Sequence, residues 1–172
     1  STILKNFPKA LISIDTTSSE VAEKAVESGA AIVNDISAGT ADKRMLKTVS
    51  SLGVPYIAMH MHGNPKTMQN NPSYQNVLSD VFAALERFCN RARELGIEQL
   101  IVDPGFGFGK TLSHNYQLLN QLERFHSLGY PLLVGVSRKS MIQQILDVNA
   151  ENALNGTTAI HTIAVQKGAS IL

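Results

Sequence analysis

Polar side chains stand at the ends of five apolar segments of the chain. They are Asp15 after ALISI, Asn34 and Asp35 after AAIV, His60 and His62 at the end of VPYIAMHM, Asp103 after QLIV, and Ser137, Arg138 and Lys139 after YPLLVGV. The carboxyl ends of parallel strands meet at one edge of a sheet, which is where α/β proteins bind ligands. A single polar strand end can simply mark where the chain reaches solvent. The repeated pattern predicts a polar ligand site.

The segment DPGFGFGKT, residues 103–111, is the most distinctive of these strand ends. Glycine at alternate positions lets the backbone adopt positive φ and approach a ligand closely. The spacing matches neither the dinucleotide fingerprint nor the phosphate-binding P-loop. It indicates a glycine-rich ligand loop that carries Phe106 and Phe108. The alternative is a tight turn whose two aromatic rings fold onto the protein.

The segment GVSRKS, residues 135–140, is the second distinctive strand end. Ser137 can cap the helix that follows, and the N–H groups at a helix N-terminus favour an anion. Lys139 in the first turn is unfavourable for the helix dipole, so its presence suggests a role outside helix stability. A solvated surface lysine remains the ordinary alternative.

Other reactive side chains give weaker signals. His60 and His62 would share one face of a strand and could form a metal pair, but no third ligand has a recognisable spacing. Cys89 lies on the apolar side of a predicted helix and is expected to be a buried, inert thiol. The G-x-S-x-G pattern of a nucleophile elbow does not occur.

The strand ends are positioned by an alternation of apolar β-type runs and amphipathic helical runs. Continuously apolar strands separated by helices predict a parallel sheet buried on both faces. The predicted strands are residues 10–15, 30–35, 54–61, 99–103 and 130–136, with a sixth in the final ASIL. A barrel and an open doubly wound sheet share this pattern, and a complete (β/α)₈ barrel has eight strands. The apolar final residues favour a barrel whose remaining strands lie outside this sequence.

Composition excludes several classes of function. Hydrophobic residues make up 44% of the 172 residues, and the formal net charge is +1. Nucleic acid and anionic membranes are therefore not expected as partners. The single cysteine allows no disulfide within the chain, and no apolar run approaches the roughly 20 residues of a membrane span. A cytoplasmic protein is expected.

Several segments together resemble the dihydropteroate synthase family. ISIDT, IVNDI, MHMHGNPKTMQ, LIVDPGFGFGKTLSHN and LLVGVSRKS occur in that family's order and spacing, from about Ala10 to the end. The resemblance implies a (β/α)₈ TIM barrel of the pterin-binding type, with about six of its eight strands in this chain. It also implies one domain over residues 1–172, incomplete at both ends. The family joins 6-hydroxymethyl-7,8-dihydropterin pyrophosphate to p-aminobenzoate, with release of pyrophosphate, and is inhibited by sulfonamides.

The resemblance also implies roles for individual residues. The catalytic residues would be Asp15 and Lys139, with Asp15 stabilising positive charge at the pterin methylene from a water-poor pocket. The pterin would be bound by Asp15, Asn34, Met59, Asp103, Phe108, Gly135 and Lys139. The p-aminobenzoate would be bound by Ser137 and Phe108, with the carboxylate at the N-terminus of the helix after Ser137.

Magnesium and a homodimer are further expectations from the resemblance. The family's metal ligand, an asparagine, belongs to a loop of the NVTPDSFSDGG type that would precede this chain, so no ligand for it is assigned here. An Arg-x-His pair that serves the pyrophosphate would follow Leu172, and His62 replaces a glutamine that is common in the family. Two alternatives remain: a methyltetrahydrofolate–corrinoid methyltransferase, which would not need SRKS, and a pterin-binding fragment that does not catalyse the reaction.

Overall fold

The fold is given by a computed structural model, which describes residues 2–63, 68 and 72–172. The chain forms two compact units. Unit 1 consists of Ser1–Met59 and Arg87–Ile101, and unit 2 consists of His60–Glu86 and Val102–Leu172. Most of the segment NPKTMQ within the motif MHMHGNPKTMQ lies outside the described residues.

The order of the elements confirms the predicted alternation of strands and helices. Unit 1 contains α1 (Thr2–Asn6), β1 (Ser13–Asp15), α2 (Ser19–Glu27), β2 (Ile32–Asp35), α3 (Met45–Leu52) and β3 (Tyr56–Met59). Two elements belong partly to each unit: α4 (Val77–Glu94) and β4 (Leu100–Asp103). Unit 2 continues with α5 (Leu112–Asn120), a 3-10 helix (Leu122–Leu128), α6 (Ser140–Leu146) and α7 (Leu154–Gln166).

The four strands form one sheet in the order β1–β2–β3–β4. β1 pairs with β2, and β2 with β3, in parallel. In unit 1 the N–H of Tyr56 donates to the carbonyl of Gln99, which lies just before β4, at 2.9 Å. The predicted parallel α/β architecture is confirmed, and its consecutive order follows from helical connections that return the chain to the next strand.

Each unit has its own apolar core. In unit 1 the largest fully buried side chains include Tyr56, Met45 and Leu46, and the ring of Tyr56 stacks on Phe88 at 5.8 Å between centroids. In unit 2 they include Phe106, Phe125, Leu118, Leu122 and Met141. The predicted burial of Cys89 is confirmed. In the described part of the chain, no helix combines the length and apolar character of a membrane span.

The strand predicted over residues 130–136 is formed only in part. Leu132 and Leu133 make single parallel bridges to Val102 and Ile171, so no continuous ladder develops. The helical segment between β4 and this strand is not continuous, because it divides into α5 and the 3-10 helix at Gln121. Gly129 ends this segment at a φ of 82°, a left-handed conformation that glycine adopts readily.

Candidate functional site

Asp103 is a buried carboxylate at the end of β4, and only 8% of its surface is exposed. Its Oδ1 accepts a hydrogen bond of 2.7 Å from the N–H of Gly105. Burial raises the pKa of Asp103 to about 6, although this hydrogen bond and the positive charges of Lys139 and Lys110 oppose the rise. The carboxylate is therefore fixed in orientation and still ionised at neutral pH, which suits it to accept N–H donors from a ligand.

Hydrogen bonds hold the glycine-rich loop after Asp103 at several positions. Asn115, which is buried, accepts a 2.8 Å hydrogen bond from the N–H of Gly107. The hydroxyl of Tyr74 donates to the carbonyl of Gly109 at 2.8 Å. The loop has a positive φ at each of its glycines, including 64° at Gly109. These ties give the backbone one defined conformation, which confirms the predicted need for glycine here.

We expect Gly109→Ala to lower the free energy of unfolding by about 3 kcal/mol, because a Cβ there meets backbone and the φ is left-handed. The added Cβ would lie 2.7 Å from the carbonyl oxygen of His62 and 3.1 Å from its nitrogen. Gly53→Ala is the matched control, since its φ is 63° and no atom lies within 4 Å. Urea denaturation should show a loss of only about 1 kcal/mol in the control. Equal losses would mean that close packing at Gly109 contributes nothing.

Lys139 lies beside the same loop. Its Nζ donates to the carbonyl oxygen of Phe106 at 2.5 Å and sits 4.6 Å from the centre of the Phe108 ring. A methyl group placed on Gly135 would be 4.0 Å from this Nζ. Burial lowers the pKa of Lys139, and the charge of Asp103 opposes that change. Unit 2 therefore brings together four residues of the predicted site: Asp103, Phe108, Gly135 and Lys139.

Ser137 does not cap the helix that follows it, so that prediction is wrong. Helix α6 begins at Ser140, its N-cap is Lys139, and no side chain caps it. The cause is the turn at Arg138, whose φ of 52° delays the helix. Ser137 itself is exposed in this turn. The predicted carboxylate site at the start of this helix is accordingly left without its capping hydroxyl.

Lys110 is a buried residue of the loop to which sequence reasoning gave no role. Only 4% of its surface is exposed, and its Nζ donates to the carbonyls of Gly105 (2.8 Å), Phe108 (3.1 Å) and His60 (3.3 Å). Burial lowers its pKa to about 7, and the charge of Asp103 opposes that fall. The signal in the sequence was a lysine that ends a glycine-rich loop, since the loop exposes carbonyls that a cation can satisfy.

His60 contacts Lys110, whose Nζ lies 3.1 Å from His60 Nδ1. Burial lowers the pKa of His60 to about 3, with further contributions from the charges of Lys110 and His62. His62 packs against the ring of Tyr74, with 5.0 Å between centroids. Over residues 2–63, 68 and 72–172, no three His, Cys, Asp or Glu side chains are grouped as metal ligands.

Asp15 and Asn34 are neighbours in unit 1, because the register of β1 and β2 pairs them directly. Paired residues of parallel strands project to the same face of the sheet. Asn34 is half-buried, whereas Asp15 is exposed. The water-poor surroundings expected for Asp15 are therefore wrong for this structure. Met59, the last residue of β3, is buried.

Asp35 points away from Asn34 and has a structural role. It is fully buried, and its carboxylate accepts four hydrogen bonds. The donors are the N–H and hydroxyl of Ser37 at 2.7 and 2.6 Å, the N–H of Gly39 at 2.9 Å and the hydroxyl of Tyr56 at 2.7 Å. Burial and the charge of Asp35 raise the pKa of Tyr56, which stays protonated and donates. These bonds close the turn that follows β2.

The raised pKa of Asp103 predicts a pH dependence of stability. In the folded protein this carboxyl holds a proton up to about pH 6, whereas an ordinary aspartate loses it near 3.8. The folded state therefore binds more protons between these values, and stability falls as the pH rises through this window. The loss should be on the order of 3 kcal/mol. Urea denaturation at several pH values should show that Asp103→Asn lacks this component of the slope. Parallel curves for both proteins would contradict the burial argument.

The sequence profile of a family described as "Pterin binding enzyme" matches residues 1–172. The chain belongs to this pterin-binding enzyme family. The (β/α)₈ barrel type predicted from the resemblance is thereby confirmed, and the parallel βα units of the structure are the part of that barrel which this chain contains.

Individual members of the pterin-binding family are similar over nearly the whole chain. The dihydropteroate synthase of Haemophilus influenzae is 47% identical over 163 residues, which are 94% of this chain and 59% of that protein. The Yersinia pestis dihydropteroate synthase, solved with a sulfonamide drug, has a TM-score of 0.94 at 38% identity and covers 99% of this chain and 62% of its own. The Thermus thermophilus dihydropteroate synthase, solved with 4-aminobenzoate, has a TM-score of 0.90 at 41% identity. The match covers 95% of this chain and 64% of that protein. The chain thus spans about three fifths of each relative.

Proposed function

We propose that this chain forms the pterin-binding part of a dihydropteroate synthase. The observation that carries the proposal is the buried, oriented carboxylate of Asp103 in a glycine-rich loop, beside the ring of Phe108 and the ammonium group of Lys139. Relatives that are named dihydropteroate synthase, such as the Haemophilus influenzae protein, support it.

The chemistry of a pterin fits these groups. The ring has an edge with an exocyclic amine and a neighbouring N–H, and an ionised carboxylate such as Asp103 accepts from both. Lys139 donates to the ring carbonyl side, while Phe108, Met59 and Gly135 provide flat, mostly apolar surface for the ring. Asn34 and Asp15 contact the remaining ring edge in this proposal. Their shared face of the sheet agrees with a joint role.

The proposed reaction replaces one bond at the pterin methylene carbon by another. The bond from this carbon to the pyrophosphate oxygen breaks, and pyrophosphate leaves with the bonding electrons. The amine nitrogen of p-aminobenzoate forms the new bond and loses a proton to solvent. Asp15, which is exposed without ligand, is proposed to stabilise the positive charge that develops at the methylene once bound substrate excludes water from its carboxylate, and Lys139 to orient the pterin. Ser137 and Phe108 are proposed to contact p-aminobenzoate, with Ser137 acting from its exposed turn and not as a helix cap.

Magnesium remains part of the proposal only through the family resemblance. Mg²⁺ prefers several oxygen ligands, and the described residues of this chain do not group three acidic or histidine side chains. The described residues alone therefore do not fit the ion, and no step of the proposed reaction is assigned to it. A homodimer, inhibition by sulfonamides and a cytoplasmic location are proposed on the same resemblance. The sulfonamide complex of the Yersinia pestis relative supports the second of these.

Two measurements on the same purified protein test the function. Calorimetric titration with the pterin pyrophosphate and then with p-aminobenzoate reports binding, and a pyrophosphate-release assay reports turnover. A dihydropteroate synthase binds both compounds and releases pyrophosphate only when both are present. Binding of the pterin without release would indicate a non-catalytic pterin-binding protein. Transfer of a methyl group from methyltetrahydrofolate to a corrinoid would indicate the methyltransferase alternative.

A further inference from the structure

Lys110 is a buried lysine to which the proposed reaction assigns no part. Removing an ammonium group from water costs several kcal/mol unless its donors are satisfied. The Nζ of Lys110 is satisfied by the carbonyls of Gly105 at 2.8 Å, Phe108 at 3.1 Å and His60 at 3.3 Å. It also lies 3.1 Å from Nδ1 of His60. The ammonium group therefore joins His60 to both ends of the tight turn at residues 105–108.

Gly105 connects Lys110 to Asp103. The carbonyl of Gly105 accepts from Lys110, and the N–H of the same residue donates to Oδ1 of Asp103 at 2.7 Å. A displacement of Gly105 would therefore turn the Asp103 carboxylate. The charge of Lys110 also helps to keep Asp103 ionised. Burial raises the pKa of Asp103, and the charges of Lys139 and, to a smaller extent, Lys110 lower it.

The rest of the loop has its own supports, so Lys110 is not needed merely to keep the loop folded. Asn115 accepts from the N–H of Gly107 at 2.8 Å, and Tyr74 donates to the carbonyl of Gly109 at 2.8 Å. The N–H of Phe108 donates to the carbonyl of Gly105 at 3.1 Å, which closes the turn. Loss of Lys110 would leave these bonds in place and would remove the shorter, charge-assisted one of the two hydrogen bonds to the Gly105 carbonyl.

We infer that Lys110 is a positioning residue for pterin recognition, which holds Gly105 so that Gly105 in turn holds the Asp103 carboxylate. The inference rests on the proposed function, since it takes Asp103 as the acceptor of the pterin N–H groups. It predicts a selective effect: the affinity for the pterin depends on Lys110 more strongly than the affinity for p-aminobenzoate, because Phe108, the loop residue proposed to contact p-aminobenzoate, keeps its N–H bond to Gly105 and its contact with Lys139.

The test substitution is Lys110→Met, which keeps an unbranched side chain one atom shorter than lysine and removes its charge and donors. We expect the KM for the pterin pyrophosphate and its calorimetric Kd to rise about 10-fold or more, through the loss of a buried, charge-assisted positioning bond. The KM for p-aminobenzoate should change by less than about twofold. Because methionine relieves the desolvation of a buried ammonium group, the variant is expected to fold.

Two controls separate positioning from stability. Lys47→Met makes the same change at an exposed lysine of α3 and should leave both KM values unchanged. Tyr56→Phe removes a buried 2.7 Å hydrogen bond to Asp35 in unit 1, so it should lower the Tm without changing the pterin Kd. A structural role for Lys110 would make Lys110→Met resemble Tyr56→Phe.

The measured Kd and KM values decide whether Lys110 has a positioning role or only a structural one. An unchanged pterin Kd, or equal losses for both substrates, would overturn the inference. Should Lys110→Met not fold, Lys110→Leu provides the same comparison, because it also removes the charge and the donors. Failure of the proposed function is distinguishable: wild-type protein that binds the pterin but releases no pyrophosphate would contradict the function and still allow the Lys110 test. Wild-type protein that binds no pterin would overturn both.

Discussion

Asp103→Asn is expected to weaken binding of the pterin pyrophosphate by about 100-fold or more. In the proposed function the carboxylate accepts from two N–H groups of the ring, and each charge-assisted hydrogen bond contributes about 1.5–3 kcal/mol. Asparagine offers one acceptor and places an NH₂ group against a donor of the ligand, so one bond is lost and a repulsive contact appears. Calorimetric titration at about pH 8 measures the effect with the wild-type Asp103 fully ionised.

The matched control for this prediction is Asp147→Asn. Asp147 is exposed at the end of α6 with a φ of 52°, a conformation that asparagine tolerates well. Its substitution should leave the pterin Kd within about twofold of wild type. A loss of less than about fivefold for Asp103→Asn would remove Asp103 from the role of principal pterin acceptor.

Asp35→Ala is expected to lower the free energy of unfolding by about 4 kcal/mol, the largest stability change among the substitutions considered. The carboxylate is fully buried and accepts from Ser37, Gly39 and Tyr56. Alanine would leave these buried donors without the acceptor that they have in the native protein. Urea denaturation at neutral pH measures the change.

Burial is the reason for the size of this effect, and Asp80→Ala tests that reason. Asp80 accepts from the N–H groups of Gln75 and Asn76 at 3.0 and 3.2 Å near the start of α4, at an exposed position for those donors. Water can replace its carboxylate, so we expect a loss of only about 1 kcal/mol. If the two substitutions cost the same, the four bonds of Asp35 would be no stronger than an ordinary helix cap.

The parallel arrangement and one half of the candidate site were predictable from local patterns. Continuous apolar runs between amphipathic ones indicate a parallel sheet, and polar strand ends identified Asp103 and the Lys139 turn. Local patterns do not distinguish the roles of adjacent polar residues at a strand end. Asn34 and Asp35 look equivalent as strand-end polar groups, but the period of two along a strand sends them to opposite faces. Only the register shows that Asp35 serves the turn after β2.

Other features depend on contacts that no local pattern contains. Lysine is usually exposed, so the burial of Lys110 follows only from carbonyls that the folded loop turns toward it. The start of α6 was misplaced because a left-handed Arg138 cannot be recognised from residue type. Thr17 and Ser18 both carry a hydroxyl suited to the N-cap of α2, and only the structure shows that Ser18 takes this position. The proposed roles of Asp15, Asn34 and Ser137 stay predictions.

The boundaries between the two units limit where the chain can be divided for truncation or domain exchange. Two of the crossings fall inside regular elements, between Glu86 and Arg87 in α4 and between Ile101 and Val102 in β4. Helix α4 and strand β4 therefore each contain residues of both units. Cutting the chain at either place would divide a helix or a strand and not a linker, so neither unit can be exchanged on its own. A chimaera with a relative would therefore have to take both units from the same protein. The loops that follow Asp35 and Asp103 would be exchanged together.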